Sequence, residues 1–255
     1  MLIGVAMVKY LPVNGGKAAV TAGIGIGTED IMPSQPAAPV SEVVSVANVL
    51  PEEESGEAVI VSENMNVLAT PKYTDDWRLI LVNTDYHIPE DYSVNLKTLR
   101  NDYRVDKRIY PDLQRMFDDA RYDGVFPLIM SAYRTAEYQQ KLLDNKLSEL
   151  AQQGMTGDAA MKEALMWVAA PGTSEHQLGL AIDVESEEGS EQLQEVYDWM
   201  EQNSWRYGFI RRYPEDKSEI TGINYEPWHY RYVGKEAAKE IFESGICLEE
   251  YLGVA

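Results

Sequence analysis

The 255-residue sequence predicts an α+β domain placed behind a long N-terminal linker. Three observations predict it. Helical and strand-like segments follow one another without the regular alternation of a doubly wound sheet. The helical ones carry apolar residues at 3.6-residue spacing, bounded by start and stop signals. The strand-like ones are short apolar runs next to turn residues.

Residues 1–70 differ in texture from the rest. They hold a Gly-rich piece, a Pro-rich piece and an acidic run at 52–57, with two lysines, no arginine, eight acidic residues and Tyr10 as the sole aromatic. Such a segment buries too little apolar surface to offset its ordering entropy, so it reads as a flexible, disordered linker. The valine-rich pieces within it are the one argument for short strands there. From residue 71 onward the pattern is globular. Residues 79–82 read as a strand ending in an Asn-Thr-Asp turn. Leu113, Met116, Phe117 and Ala120 give 110–122 helical spacing, with Pro111 at its start and Gly124 past its end. The apolar run 126–131 reads as a buried strand. Thr135 is placed to cap a helix reaching about residue 153, and 158–168 reads as a second helix. Residues 181–184 read as a strand, 190–203 as a helix, 229–233 as a strand and 235–243 as a closing helix.

A net charge of −20 argues against nucleic acid as a partner, because phosphate recognition needs clustered Lys and Arg. A solvated acidic surface explains the charge. The single cysteine, Cys247, excludes an intrachain disulfide and a cysteine metal cluster. Residues 1–8 are apolar, but Lys9 ends the run far short of the ~20 residues of a membrane helix. No basic segment precedes it, so it is a poor signal peptide. It reads either as an ordinary flexible end or as the remnant of an anchor.

Two stretches carry the chemistry: SEHQLGLAID at 174–183 and EPWH at 226–229. The first sets an imidazole, His176, seven residues before a carboxylate, Asp183. The second sets Glu226 three residues before His229. Two nitrogens and one oxygen suit a catalytic zinc that keeps its fourth position open, and the remaining carboxylate, Glu226, is the natural general base. Of three histidines in the chain, only His87 lies outside these stretches. A turn after His176 and a strand from about Gly179 would return Asp183 to the same point. Gly179 and Ala181 are small, as where a backbone passes close to a metal or substrate. For His176 or Asp183 alone, an ordinary surface ion pair is the better reading; with Glu226 and His229 it is not. Pro227 excludes a mid-helix setting for the second stretch. At a strand–helix junction, Ser131-Ala132-Tyr133-Arg134 could project an arginine into a cleft, where a guanidinium suits a carboxylate or a developing oxyanion. Arg211 and Arg212 could make that cleft locally positive. His87 has no partner spacing and reads as a loop histidine.

The segments SAYRTAEYQQKL, GTSEHQLGLAIDV, YGFIRRYP and ITGINYEPWHYRYVG resemble the VanY-type D-alanyl-D-alanine carboxypeptidases. These belong to a wider group of zinc peptidases that includes lysostaphin-like enzymes and the hedgehog signalling domain. The resemblance spans roughly residues 79–252, with the four segments in order. It implies a small, mainly antiparallel sheet flanked by helices with a single zinc site, so that 71–255 is a zinc carboxypeptidase domain. It implies His176, Asp183 and His229 as ligands of one Zn2+, Glu226 as catalytic base and Arg134 as the substrate and transition-state arginine. Ser131, Tyr133, Gln139, Ser174, Trp228 and Tyr230 match positions lining the substrate cleft. The implied activity is removal of the terminal D-alanine from peptidoglycan stem peptides. An L,D-carboxypeptidase or a D,D-dipeptidase would use the same site. A non-catalytic cell-wall-binding module would have kept the fold without needing Glu226 and Arg134, and a structural zinc site would be closed and cysteine-rich. The expected setting is extracytoplasmic, for a monomer, with 1–70 as a tether averaging about 40–50 Å.

Overall fold

Residues 76–255 are described by the computed structural model; the linker expected over 1–70, and its boundary, lie outside them. In chain order the elements are β1 (Leu96–Thr98), β2 (Arg104–Asp106), α1 (Tyr110–Tyr122), β3 (Pro127–Ser131), α2 (Ala136–Gln152), α3 (Gly157–Leu165), β4 (Ala181–Ser186), α4 (Leu193–Asn203), β5 (Phe209–Arg211), α5 (Ser218–Thr221), β6 (His229–Tyr232), α6 (Lys235–Ser244) and α7 (Leu248–Leu252). The main sheet runs β3–β4–β6–β5 with every neighbouring pair antiparallel, and β1 and β2 form a separate hairpin. This is the α+β class that the sequence pattern predicts, with the antiparallel sheet flanked by helices that the resemblance implies.

Strand alternation gives the sheet two different faces. Ile182 and Val184, with Tyr230 and Tyr232 of β6, pack into the main core with Met116 and Phe117 of α1 and Val196 and Met200 of α4. Each fully buried side chain of this size contributes roughly 1.5–3 kcal/mol. The other face presents Asp183, His229 and Arg231. Beside it, Ile210 and Val233 pack with Ala237, Ala238 and Ile241 of α6 and Leu248 and Leu252 of α7. A satellite cluster of Leu143, Leu150, Ala160 and Ala164 joins α2 to α3.

The helix signals translate directly. Helix α1 buries Leu113, Met116, Phe117 and Ala120 with proline in its first turn. The Thr135 hydroxyl caps α2 by accepting from the Tyr138 amide. Residues 79–82 are not a strand. Trp77–Leu79 is one 3-10 turn capped by Asp76, and the carbonyls of Arg78 and Ile80 accept from the Arg231 guanidinium at 3.0 and 2.8 Å instead of from a neighbouring strand.

Register is what brings the site together. On β3, Ile129 pairs with Val184 but Ser131 pairs with Asp183, so one extra residue, Met130, interrupts the ladder. A bulge of this kind re-aims the following side chain. Because Asp183 in turn pairs with His229, Ser131, Asp183 and His229 lie abreast on three adjacent strands.

Candidate metal and catalytic site

His176 sits on a 3-10 turn, Glu175–Leu178, that ends at Gly179 with φ 71° and leads into β4. This is the turn-then-strand geometry expected from the motif. Gly179, however, is small for a different reason than proximity to a metal. A Cβ there would lie 3.0 Å from the Asp106 amide nitrogen and 3.1 Å from Val94, and its carbonyl accepts from that same amide at 2.9 Å. The left-handed conformation costs an ordinary residue about 1–2 kcal/mol before any clash. Gly179→Ala is therefore expected to lower stability by at least that much in denaturant unfolding; an unchanged midpoint would contradict the packing account.

One potential ligand atom from each of His176, Asp183 and His229 lies within 4.8 Å of the others. Asp183 Oδ1 stands 3.3 Å from His176 Nε2 and 2.9 Å from His229 Nδ1. The other nitrogen of each ring faces an acceptor. His176 Nδ1 is 2.7 Å from the Ala132 carbonyl, which can only accept, so that nitrogen carries the proton. His229 Nε2 is 3.4 Å from the Glu175 carboxylate. His176 Nε2 and His229 Nδ1 are thus the two ring nitrogens that face the aspartate. A metal ligand set needs this kind of tautomer control from its supporting hydrogen bonds, and the donor set fits a divalent cation of zinc type. The rings stand edge to face, with centroids 4.9 Å apart, and the Tyr213 ring covers His229 at 5.0 Å.

Electrostatics follow from burial and neighbours. In the metal-free chain, burial and the Arg134 charge push His176 down to about 4, so it is neutral. Burial opposes charge on His229 as well, but Asp183 and Glu175 outweigh it and hold the ring up at about 9. A metal at Nδ1 would take the place of that extra proton. Asp183 stays well below the usual carboxylate range: burial would raise it, and His176 and Arg134 more than offset this. Glu226 is 3.9 Å from His229 Nδ1, and burial pushes its carboxyl up to about 8.

Arg134 closes the group. Its Nη2 donates to Asp183 Oδ2 at 2.5 Å, its Nε to Ser131 Oγ at 2.8 Å, and its Nη1 lies 3.5 Å from Gln139 Oε1. Gln139 is itself buried and donates to the Ala169 carbonyl at 2.7 Å. Ser131 and Gln139, expected in the cleft lining, therefore orient the arginine. Tyr133 is half-buried beneath the Arg104 guanidinium, 5.2 Å away. Ser174 is buried at the head of the His176 turn. Trp228 is half-buried, and its carbonyl accepts from Val184.

Two expectations are corrected. Tyr230 does not line the cleft: it follows His229 on a strand, so it points through the opposite face and is fully buried in the main core. Arg212 is not a surface cation of the cleft either. It is fully buried between Glu175 and Glu249, and Arg211 pairs with Glu201 at 2.6 Å. The residue that sequence reading passed over is Glu175. An acidic side chain immediately before a candidate ligand histidine was the available signal.

The VanY family profile, described as D-alanyl-D-alanine carboxypeptidase, matches residues 102–235, which include every residue of this cluster. The chain belongs to the VanY family. A D-alanyl-D-alanine carboxypeptidase of Enterococcus faecalis (strain ATCC 700802 / V583) is 52% identical to this VanY-family chain over 208 residues, covering 80% of the chain and 78% of that relative. Among solved structures, a vancomycin-resistance D,D-pentapeptidase VanY variant in complex with Zn(II) superposes with a TM-score of 0.68 at 55% identity, covering 69% of this chain and 99% of that one. The LdcB LD-carboxypeptidase superposes with a TM-score of 0.58 at 34% identity, covering 69% of this chain and 85% of that one.

Proposed function

We propose that this VanY-family chain is a zinc-dependent carboxypeptidase that removes the terminal D-alanine from peptidoglycan stem peptides. The observation that carries the reading is the buried His176–Asp183–His229 cluster with Glu226 beside it and Arg134 locked against it. Zinc held by those three residues would supply Lewis acidity and a lowered pKa for bound water. Glu226 takes a proton from the attacking water as its oxygen bonds to the scissile carbonyl carbon. The same carboxyl then gives that proton to the departing amine of the terminal residue as the C–N bond breaks. A carboxyl already displaced upward by burial suits a group that must hold and release a proton within one cycle. Arg134, with its Nε and Nη2 fixed by Ser131 and Asp183, offers its remaining N–H groups to the developing oxyanion.

The second reading, an L,D-carboxypeptidase acting on tetrapeptide stems with the same residues, is favoured by the likeness to LdcB. Mass spectrometry of products from pentapeptide and tetrapeptide stems, with zinc and with a chelator, separates the two. The expected result is zinc-dependent loss of one alanine from the pentapeptide alone. Loss from the tetrapeptide would move the chain to the L,D class, and no cleavage by zinc-loaded protein would leave a binding module.

Peptidoglycan as substrate places the work outside the cytoplasmic membrane, with residues 1–70 as a tether and the enzyme acting as a monomer. Among the described residues no helix is long and apolar enough to cross a membrane.

A further inference from the structure

Behind His229 lies a chain of buried charges that the proposed reaction does not use. Glu175 is 1% exposed and receives Arg212 Nε and Arg231 Nη1 on one oxygen, each at 2.7 Å, leaving the other oxygen for His229 Nε2 at 3.4 Å. Arg212 is fully buried, and its two terminal nitrogens donate to Glu249 at 2.8 and 2.6 Å. Glu249 belongs to α7 and also accepts from Asn83 Nδ2 at 3.2 Å. Arg231, fully buried as well, ties the carbonyls of Arg78 and Ile80 to the same carboxylate. Two acids and two arginines make the group neutral overall, and it reaches from the two ends of the described chain to one ring nitrogen.

We infer that Glu175 is a positioning residue for the metal centre, and that Arg212, Arg231 and Glu249 of the C-terminal helix hold it in place. An imidazole can offer Nδ1 to a metal only if the remaining proton sits on Nε2, and a carboxylate facing Nε2 fixes that choice. A lone glutamate could rotate away. Here two guanidinium groups anchor one of its oxygens, and Glu249 anchors the first of those guanidiniums. The device extends beyond residues 102–235, where the family profile matches, so α7 and residues 78–83 are parts of the site rather than flanking structure. A network that served folding alone would not need to end on a ligand ring.

The inference rests on the zinc reading above, and the test keeps the two apart. The full chain and its Glu175→Gln and Glu249→Gln variants are compared for zinc affinity, by chelator competition, and for the visible spectrum after cobalt(II) substitution. Glu175→Gln is expected to weaken zinc about 10–100-fold, the usual effect of losing a supporting partner. Glu249→Gln should weaken it in the same direction by less, and the cobalt bands of both should shift. Folded variants with parental zinc affinity and an unchanged cobalt spectrum, even if they melt lower, would overturn the inference. A parent chain that binds no zinc would instead overturn the zinc reading. If neither variant folds, the unaltered chain decides: with cadmium bound, nitrogen NMR should couple the metal to His229 Nδ1 and show a slowly exchanging proton on Nε2. Coupling through Nε2 would refute the assignment.

Discussion

Glu226→Gln is expected to lower kcat by about 10²–10⁴-fold, the range for losing a general base, while leaving zinc content unchanged. The substitution keeps the side chain's shape and removes only its ability to take a proton. Little else depends on that carboxylate. Among the described residues its one ion pair is the 3.9 Å approach to His229, and Asp183 and the two histidines do not need it to converge. Stability gives an independent check through the sign of the linkage. Burial raises the folded-state pKa of Glu226 to about 8, above its value of about 4.5 in an unfolded chain. The folded protein then binds one more proton than the unfolded one between those limits, and stability falls as pH rises through that window. The metal-free Gln variant, with nothing to titrate, should be at least as stable as the parent at neutral pH, and its advantage should shrink as pH falls toward 4.5. A zinc-loaded Gln variant with full activity would transfer the base role to another group.

The candidate site was readable in the sequence to the extent that its proposed ligands lie in short local motifs. His176 and Asp183 need only a turn and the start of a strand between them, and Gly179 marks that turn in the sequence itself. Glu226 and His229 are three residues apart, so any structure that presents one presents the other nearby. Helices α1 and α2 were equally legible, because proline, threonine and apolar spacing act within one or two turns. What local pattern could not reveal was register. The bulge at Met130 that turns Ser131 toward Arg134 depends on how β3 meets β4, which the run 126–131 does not encode by itself. The same limit hid Tyr230, whose face was fixed by its neighbour His229 but whose depth in the core depends on α1 and α4 arriving over it.

Long-range pairing explains the remaining differences. Residues 79–82 have strand composition, yet the carbonyls of Ile80 and of Arg78 just before them go to Arg231, about 150 residues away in sequence. Arg212 reads as a surface charge beside Arg211 until Glu175 and Glu249 close around it. The short elements β1, β2 and β5, three residues each, carry too few positions to show a period. Burying arginine and glutamate this deeply is tolerated only when every charge is paired, and no window of sequence shows whether the partner will be there.

Asp183 carries the second large effect, because two different partners converge on its two oxygens. Oδ1 faces both imidazoles and Oδ2 holds Arg134. Asp183→Ala is expected to abolish stoichiometric zinc binding and to lower activity by about 10³-fold or more, since metal-ion catalysis supplies several kcal/mol and each ~1.4 kcal/mol is tenfold. It should also destabilise the metal-free protein by about 1–3 kcal/mol, the cost of leaving a largely buried donor without its acceptor. Asp183→Asn separates the two roles. Its amide oxygen can still accept from Arg134, so the metal-free Asn protein should unfold close to the parent while zinc affinity and activity remain strongly reduced. Parallel losses of stability in both variants would mean that the charge on Asp183, rather than its hydrogen bond, holds Arg134. One equivalent of zinc in the Ala variant, with activity within tenfold of the parent, would remove Asp183 from the ligand set and leave its grip on Arg134 as its main role.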